Sequence, residues 1–507
     1  MSAQGPSDSK IADKIADPRQ LGLPLPGLIQ IPDQGVGIPR EDRVFVNRNL
    51  PMSNIQWIGF DMDYTLAIYH QRAMDALSVE QTVRRLIAKG YPRYLENLDY
   101  DTRFPIRGLL IDKRHGHVLK MDRHKVVHKG YHGMRPLSKQ DLEELYHHKK
   151  IRPHTKRYHW IDTLFALSEV TSYVAIVEAM ERRGEHVRYD RLFHDVRQAI
   201  DEAHADGEVH RTILENLQGY VARDALLART LHKLRSAGKR LFLLTNSPYA
   251  YTHAMLDYLL GSAMSEYPSW QQYFDVIVCS AKKPLWFREG TPLLVHEGDD
   301  LVPANGALEK GRIYEGGNLR GFEQRLGIPG SSILYVGDHI YGDILRSKKE
   351  STWRTAMIIQ ELDAEISAQE HVAGEVNRQQ QLELSRERLE DELRFYQGRF
   401  KEHQKAQKDL RDEGHEDLVR TRVKRQLERV RTELRSVGLE YQRLDQLIDQ
   451  SFHPYWGSLL KQQHEMSSFG LQVDLYADIY MRRVSSLNAY SPQQFFHSPR
   501  ELMPHEL

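Results

Sequence analysis

The chain predicts an α/β protein: a parallel sheet interrupted by an inserted α+β cap and extended near its C-terminus by a long antiparallel helical hairpin of coiled-coil type. Three observations carry that prediction. Four short apolar runs end abruptly in polar residues: Ile55–Phe60 before Asp61-Met62-Asp63, Arg240–Leu244 before Thr245-Asn246, Phe274–Ala281 before Lys282-Lys283-Pro284, and Ser332–Gly337 before Asp338. From the second run onward they alternate with helical patterns, as a parallel sheet requires. After Ala364 the composition turns abruptly to Glu, Gln, Arg and Leu, with apolar residues in heptads.

The elements follow in order. Residues 1–40 are rich in Pro, Gly and polar side chains and read as an arm with no core of its own. Residues 41–75 open the α/β core, which resumes at 216–363. The intervening 76–215 is too long for one crossover helix and forms the cap. Within it, RGLLIDKRHGHVLKMD reads as a hairpin and WIDTLFALSEVTSYVAIVEAMERR as a helix. Residues 364–465 form the helical hairpin: Val423, Val430, Val437 and Leu444 repeat every heptad, with Leu427, Leu434, Tyr441 and Ile448 interleaved. Leu382, Leu389 and Tyr396, with Leu393 and Phe400, supply the facing helix, and Asp412-Glu413-Gly414-His415 the turn. Residues 466–507 pack back on the core.

Composition narrows the function. The 507 residues carry 70 basic and 70 acidic side chains, so nothing electrostatic favours nucleic acid or an anionic membrane. The one cysteine, Cys279, lies in an apolar run and reads as core in a reducing compartment. No run approaches membrane-spanning length and the N-terminus lacks a signal-peptide apolar region, so a cytoplasmic protein is expected.

The polar residues at the strand ends suit phosphoryl transfer. Asp61 is placed to attack phosphorus and form an aspartyl-phosphate. Asp63 is placed to protonate the leaving oxygen and then to activate water. Thr245 and Asn246 suit phosphate oxygens, and Lys283 suits the charge of the nucleophile and the transferring group. Asp338 and Asp343 suit Mg²⁺, which takes few carboxylates beside water and phosphate oxygens. Each motif alone also reads as a cap, a turn or a solvated charge; it is the four in this order that point to a site. In the cap, Arg197, Asp201 and His204 fall at i, i+4 and i+7 and share one helix face. The histidines at 115, 117, 124, 128 and 132 are spaced as for zinc, but Val126, Val127, Gly130 and Gly133 argue against the helix such spacing needs.

The set resembles the haloacid dehalogenase-like phosphohydrolases, whose core is a Rossmannoid parallel sheet. In FDMDYTLA, YHWIDTLFAL, KKPLWF, LYVGDHIYGDIL and LMPHE it is similar to the cytosolic purine 5′-nucleotidase family. The resemblance implies a Mg²⁺-dependent 5′-nucleotidase acting on purine nucleoside monophosphates of the IMP and GMP type, with nucleoside phosphotransfer as a second outcome. It implies that Asp61, the Asp63 carbonyl and Asp338 hold the metal with Asp343 close by, and that Thr65 secures Asp63. It also implies that Arg197 and Asp201 read the base, beside His204, with Tyr131 stacked on it. His132 stands where the family has an asparagine, and His210 near its phosphate-side lysine. Tyr341 and Lys349 match a nucleotide-activator site, where Leu475 replaces an arginine. A homo-oligomer, dimer or tetramer, is expected. The alternatives are a phosphatase for another phosphomonoester and a scaffold acting through the hairpin.

Overall fold

The strand that carries the first carboxylate lies inside a ten-stranded sheet, buried on both faces. The computed structural model describes residues 37–499 apart from 148–150, 154, 299, 410–415 and 464. The hairpin turn at 412–415 and the closing LMPHE lie outside the described residues. The chain divides at Pro39/Arg40, and residues from Arg40 onward form one unit.

In chain order, the strands begin with β1 (Phe45–Val46) and β2 (Trp57–Phe60). The cap adds β3 (Leu109–Asp112), β4 (His117–Met121), β5 (Val127–His132), β6 (Arg135–Pro136) and β7 (Tyr158–Trp160). The core continues through β8 (Arg240–Leu244), β9 (Val276–Cys279), β10 (Leu293–Glu297), β11 (Asp300–Pro303) and β12 (Ile313–Gly316). It ends with β13 (Ile333–Gly337), β14 (Arg354–Ile358) and β15 (Ile479–Met481). Six helices matter here: α1 (Gln71–Ala88), α2 (Leu167–Glu181), α3 (Tyr189–Ala205), α4 (Tyr249–Leu260), α5 (Ala373–Asp409) and α6 (Glu416–Ser451).

The sheet order is β1-β15-β14-β13-β2-β8-β9-β12-β10-β11. The run from β15 to β12 is parallel, and β1, β10 and β11 add antiparallel edges. Alternation within the strands feeds two apolar cores, one on each face. Ile58, Phe60, Leu241, Leu243, Leu334 and Val336 enter one. Trp57, Phe242, Leu244, Ile333 and Tyr335 enter the other. Gly59 is required where the Phe242 ring crosses β2, since a Cβ there would meet that ring at 2.1 Å. Asp61 and Asp338 leave adjacent strands at their C-terminal ends, beside β2 where successive connections run to opposite sides. That is the crevice in which open α/β sheets hold ligands.

The chain leaves the core through Ile68–Tyr69 and returns through Val221–Ala222, which pair antiparallel. Between them β6-β5-β4-β3-β7 form an antiparallel sheet, and helices α1, α2 and α3 pack on one another. The hairpin read in the sequence is β3–β4. The helix expected from Trp160 begins only at Leu167. Trp160 pairs with Leu110 in β7, and the Thr163 side chain caps a short turn at Phe165, so the segment's first residues serve the sheet. Helices α5 and α6 run antiparallel, joined by Arg378–Glu440 and Arg429–Glu392 ion pairs. Val423, Leu427 and Val430 are buried along α6, and Leu434, Val437, Tyr441, Leu444 and Ile448 half-buried. Among the described residues no helix is long and apolar enough to cross a membrane.

Candidate active site

Asp61 begins the turn after β2, its N–H still donating to the Val336 carbonyl at 2.9 Å. The next residues reverse sharply. Tyr64 takes a left-handed conformation with φ 56°, costly for an aromatic residue and held by a fully buried side chain. The same device recurs after β9, where Ser280 and Lys282 have φ 47° and 61° and lead into Lys283.

Lys283 is the hub. Its Nζ lies 2.8 Å from Asp61 Oδ1 and 2.7 Å from Asp343 Oδ1, and donates to the Tyr335 hydroxyl at 2.9 Å. Its side chain is only 3% exposed. Burial opposes its charge, but Asp343 and Asp61 hold the ammonium well above the usual lysine range. Burial raises the Asp61 carboxyl to about 8, against the pull of Lys283 and with help from Asp343 and Asp63. Asp338 is likewise pushed well up, by burial first and then by Asp343, with Arg107 opposing.

Asp61, Asp338 and Asp343 offer carboxylate oxygens that lie within 4.8 Å of one another. Asp338 Oδ2 is buried with no hydrogen-bond partner. Three buried carboxylates against one lysine, with an orphaned oxygen among them, fit a divalent cation: its charge would offset the burial that now favours the protonated forms of Asp61 and Asp338. Arg107 sets the loop from behind, donating to the Asp338 carbonyl at 2.8 Å and pairing with Glu361. Gly337 lets Asp343 pack closely, since a Cβ there would meet the Asp343 carboxyl at 2.6 Å.

Asp63 is held apart from this trio. Its Oδ1 accepts from the Tyr69 hydroxyl at 2.5 Å and its Oδ2 from the Ser247 hydroxyl at 2.6 Å. Both side-chain oxygens of Asp63 are thereby engaged outside the cluster of Asp61, Asp338 and Asp343. The Thr65 hydroxyl, expected to secure Asp63, is buried without a partner, and Tyr69 and Ser247 take that role. Thr245 Oγ1 accepts from the Ser247 N–H at 3.1 Å. The Asn246 amide is spent on the Lys283 backbone in both directions, at 2.6 and 3.0 Å, so it places the lysine loop. Ser247 and Tyr69 escaped sequence reasoning; Ser247 in Thr-Asn-Ser-Pro was the one visible signal.

The cap residues separate into two groups. Arg197 donates to His159 at 2.9 Å and lies 3.8 Å from Asp201, whose side chain is 67% exposed. His204 is edge-on to Phe165 at 6.1 Å, and Phe165 edge-on to Tyr64 at 4.6 Å, so this helix face leads to the turn that carries Asp61 and Asp63. Phe165, itself exposed, was not singled out from the sequence. Tyr131 and His132 are committed elsewhere. Tyr131 packs on Phe104 and Trp456 and donates to the Tyr455 carbonyl, while His132 bonds Glu181. Among the described residues no hydrogen bond or ring contact joins either to the carboxylates. Tyr131 thus belongs to a ring cluster with Phe104, Tyr455 and Trp456. His210 stacks on Tyr251 at 4.1 Å and feels the Asp63 charge.

A parallel-rich α/β sheet presenting a buried lysine among strand-end aspartates suits phosphoryl chemistry, and comparison with known proteins gives the family. The chain belongs to the 5′-nucleotidase family, whose sequence profile matches residues 44–507. A 5′-nucleotidase domain-containing protein of Dictyostelium discoideum is 30% identical over 478 residues, 91% of this chain and 74% of that protein. Among solved structures, CbbY from Rhodobacter sphaeroides in complex with phosphate is 14% identical, covering 60% of this chain and 86% of its own, with a TM-score of 0.22. A haloacid dehalogenase-like family hydrolase from Xanthomonas campestris is 11% identical over 62% of this chain and 86% of its own, with a TM-score of 0.24. Superpositions that loose decide nothing about fold or activity.

Proposed function

We propose that the protein is a Mg²⁺-dependent 5′-nucleotidase of haloacid dehalogenase-like type, hydrolysing purine nucleoside 5′-monophosphates such as IMP and GMP through an aspartyl-phosphate. The observation that carries this is Lys283, whose ammonium lies between Asp61 and Asp343 while Asp63 is held on separate hydroxyl donors. Two carboxylates two residues apart are thus given different partners and different work. Asp61 attacks phosphorus in line. Asp63 passes a proton to O5′ as the P–O5′ bond breaks, then takes one from the water that attacks the aspartyl-phosphate. A nucleoside hydroxyl in place of that water gives phosphotransfer. Lys283 holds charge on the nucleophile and the transferring oxygens. Asp61, the Asp63 carbonyl and Asp338, with Asp343 beside them, would hold Mg²⁺, which would supply positive charge to the phosphoryl oxygens. Arg197 and Asp201, on the helix face that leads past His204 to Phe165, support reading of a 6-oxopurine: a carboxylate for ring N–H and a guanidinium for the carbonyl. Assembly as a homo-oligomer belongs to the same proposal.

Phosphate release from a panel of nucleoside monophosphates and sugar phosphates tests it, with Asp61→Asn and EDTA as controls. Turnover of IMP and GMP that both controls abolish, and that loses its purine preference in Arg197→Ala, is the expected result. Preference for a sugar phosphate or a pyrimidine nucleotide overturns the base assignment. Activity retained by Asp61→Asn overturns the mechanism.

A further inference from the structure

The phosphoryl-transfer reading explains why Asp63 must give and take a proton, but not what holds it in position to do so. Its carboxylate can only accept hydrogen bonds, so the 2.5 Å contact makes the Tyr69 hydroxyl the donor. The Tyr251 hydroxyl lies 2.9 Å from that of Tyr69. With its proton given to Asp63, the Tyr69 oxygen can only accept, so Tyr251 donates in turn. A directed chain runs from Tyr251 through Tyr69 to Oδ1, each link polarising the next. All three groups are buried.

Oδ2 is different. Its partner is the Ser247 hydroxyl at 2.6 Å, a rotor that donates to a carboxylate and accepts from a carboxyl proton with equal ease. Tyr69 has no such freedom while Tyr251 donates to it. The two oxygens of Asp63 are therefore unequal, Oδ1 held by a donor whose direction Tyr251 fixes and Oδ2 by a hydroxyl that can either donate or accept.

We infer that Tyr69, backed by Tyr251, is a positioning residue for the general acid: it anchors Asp63 Oδ1 so that Oδ2 is the oxygen that delivers the proton to the leaving group. The inference rests on the role given to Asp63 above. Its place in the fold adds a further link. Tyr69 sits in the two-stranded ribbon with Val221, where the chain passes from core to cap and back. Tyr251 lies in the first turn of α4, four residues after Ser247, and carries the His210 ring of the cap on its face. The anchor is thus built where cap and core meet, and the acid is set by the same contacts that seat the cap.

Leaving-group dependence distinguishes positioning of an acid from general support of the site. A nucleoside alkoxide needs a proton as it departs, whereas p-nitrophenolate leaves without one. The parameter to compare is kcat/KM, which covers only the steps up to aspartyl-phosphate formation. Tyr69→Phe keeps the ring and its 4.9 Å contact with Tyr64 and deletes only the hydroxyl. Its kcat/KM should fall at least about tenfold further with the nucleotide than with p-nitrophenyl phosphate, with Tyr251→Phe showing the same bias more weakly. Asp63→Asn serves as the reference and should show the largest bias. If Asp63→Asn shows the bias and Tyr69→Phe lowers both substrates equally, or neither, the anchor is refuted. If Asp63→Asn itself shows no bias, the acid role falls, and the inference with it.

Discussion

Replacing Lys283 with methionine removes one charge from a pocket that holds three carboxylates. In the folded protein its Nζ sits 2.8 Å from Asp61 and 2.7 Å from Asp343. At 2.8 Å and an effective dielectric of about 20, one such pair attracts by ~6 kcal/mol. Desolvation of three buried ions offsets most of that, so the pair itself contributes little net stability. What the substitution exposes is the penalty of carboxylates left buried without a counter-charge, about 3–5 kcal/mol. The penalty has a direction in pH. The Asp61 carboxyl already sits at about 8 with the lysine present, and without it the group holds its proton higher still. The mutant should therefore be weakest in alkaline solution and recover as pH falls and the carboxylates take up protons. Urea denaturation of wild type and Lys283→Met from pH 6 to 9, in chelator and again in excess Mg²⁺, measures this. Mg²⁺ should return much of the lost stability, since it supplies charge to the same oxygens, while phosphate release stays abolished. A mutant within about 1 kcal/mol of wild type at pH 9 in chelator, or one that worsens toward acid, would refute the charge balance described here.

Other consequences are as direct. Gly337→Ala forces a methyl group onto the Asp343 carboxyl, so Mg²⁺ affinity by calorimetry should drop about tenfold, the 1–3 kcal/mol scale of overpacking; unchanged affinity would exclude Asp343 from the metal set. Asp75 is buried, and burial lifts its carboxyl to about 7, against a hydrogen bond from Gln71. The folded protein then keeps a proton that the unfolded chain releases near 3.8, so wild type loses stability as pH rises between those values. Asp75→Asn should flatten that slope, gaining at most about 4 kcal/mol at neutral pH; an identical slope in the mutant would contradict it. In the hairpin, Val430→Asp buries an unpaired charge and should loosen α5 and α6 by several kcal/mol in hydrogen exchange, whereas Leu439→Asp, at a position 69% exposed, should change it by less than about 0.5 kcal/mol. Equal effects would mean the seam is misplaced.

Much of this was legible in the residues because it is local. The strands ending at Asp61, Thr245 and Asp338 show as apolar runs, since both sheet faces are buried and side chains of either parity must be apolar. The α6 seam shows as a heptad because one helix face repeats. Asp61 and Asp338 directly follow β2 and β13, Lys283 and Asp343 lie in the turns after β9 and β13, and parallel register brings those ends together. Where legibility failed, the missing information was contact across the chain. Thr65 is close to Asp63 in sequence, yet the hydroxyls that reach Asp63 come from Tyr69, at the cap ribbon, and from Ser247, after β8. Tyr131 is expected at the base by resemblance, yet its ring contacts are with Phe104 and Trp456, while it is Phe165 that packs edge-on to Tyr64.

The sequence by itself determined four strands of the core, the carboxylates and lysine that follow them, and the heptad repeat of the hairpin. Periodicity and the termination of apolar runs depend only on neighbours along the chain. Tertiary structure alone decided how charge and protons are shared: that Lys283 bridges Asp61 and Asp343, that Asp338 keeps an orphaned oxygen, and that Tyr69 and Ser247 divide Asp63 between them. Those assignments depend on burial and on distances of about 3 Å between residues far apart in the chain, where a change in backbone path smaller than one side chain redistributes every partner.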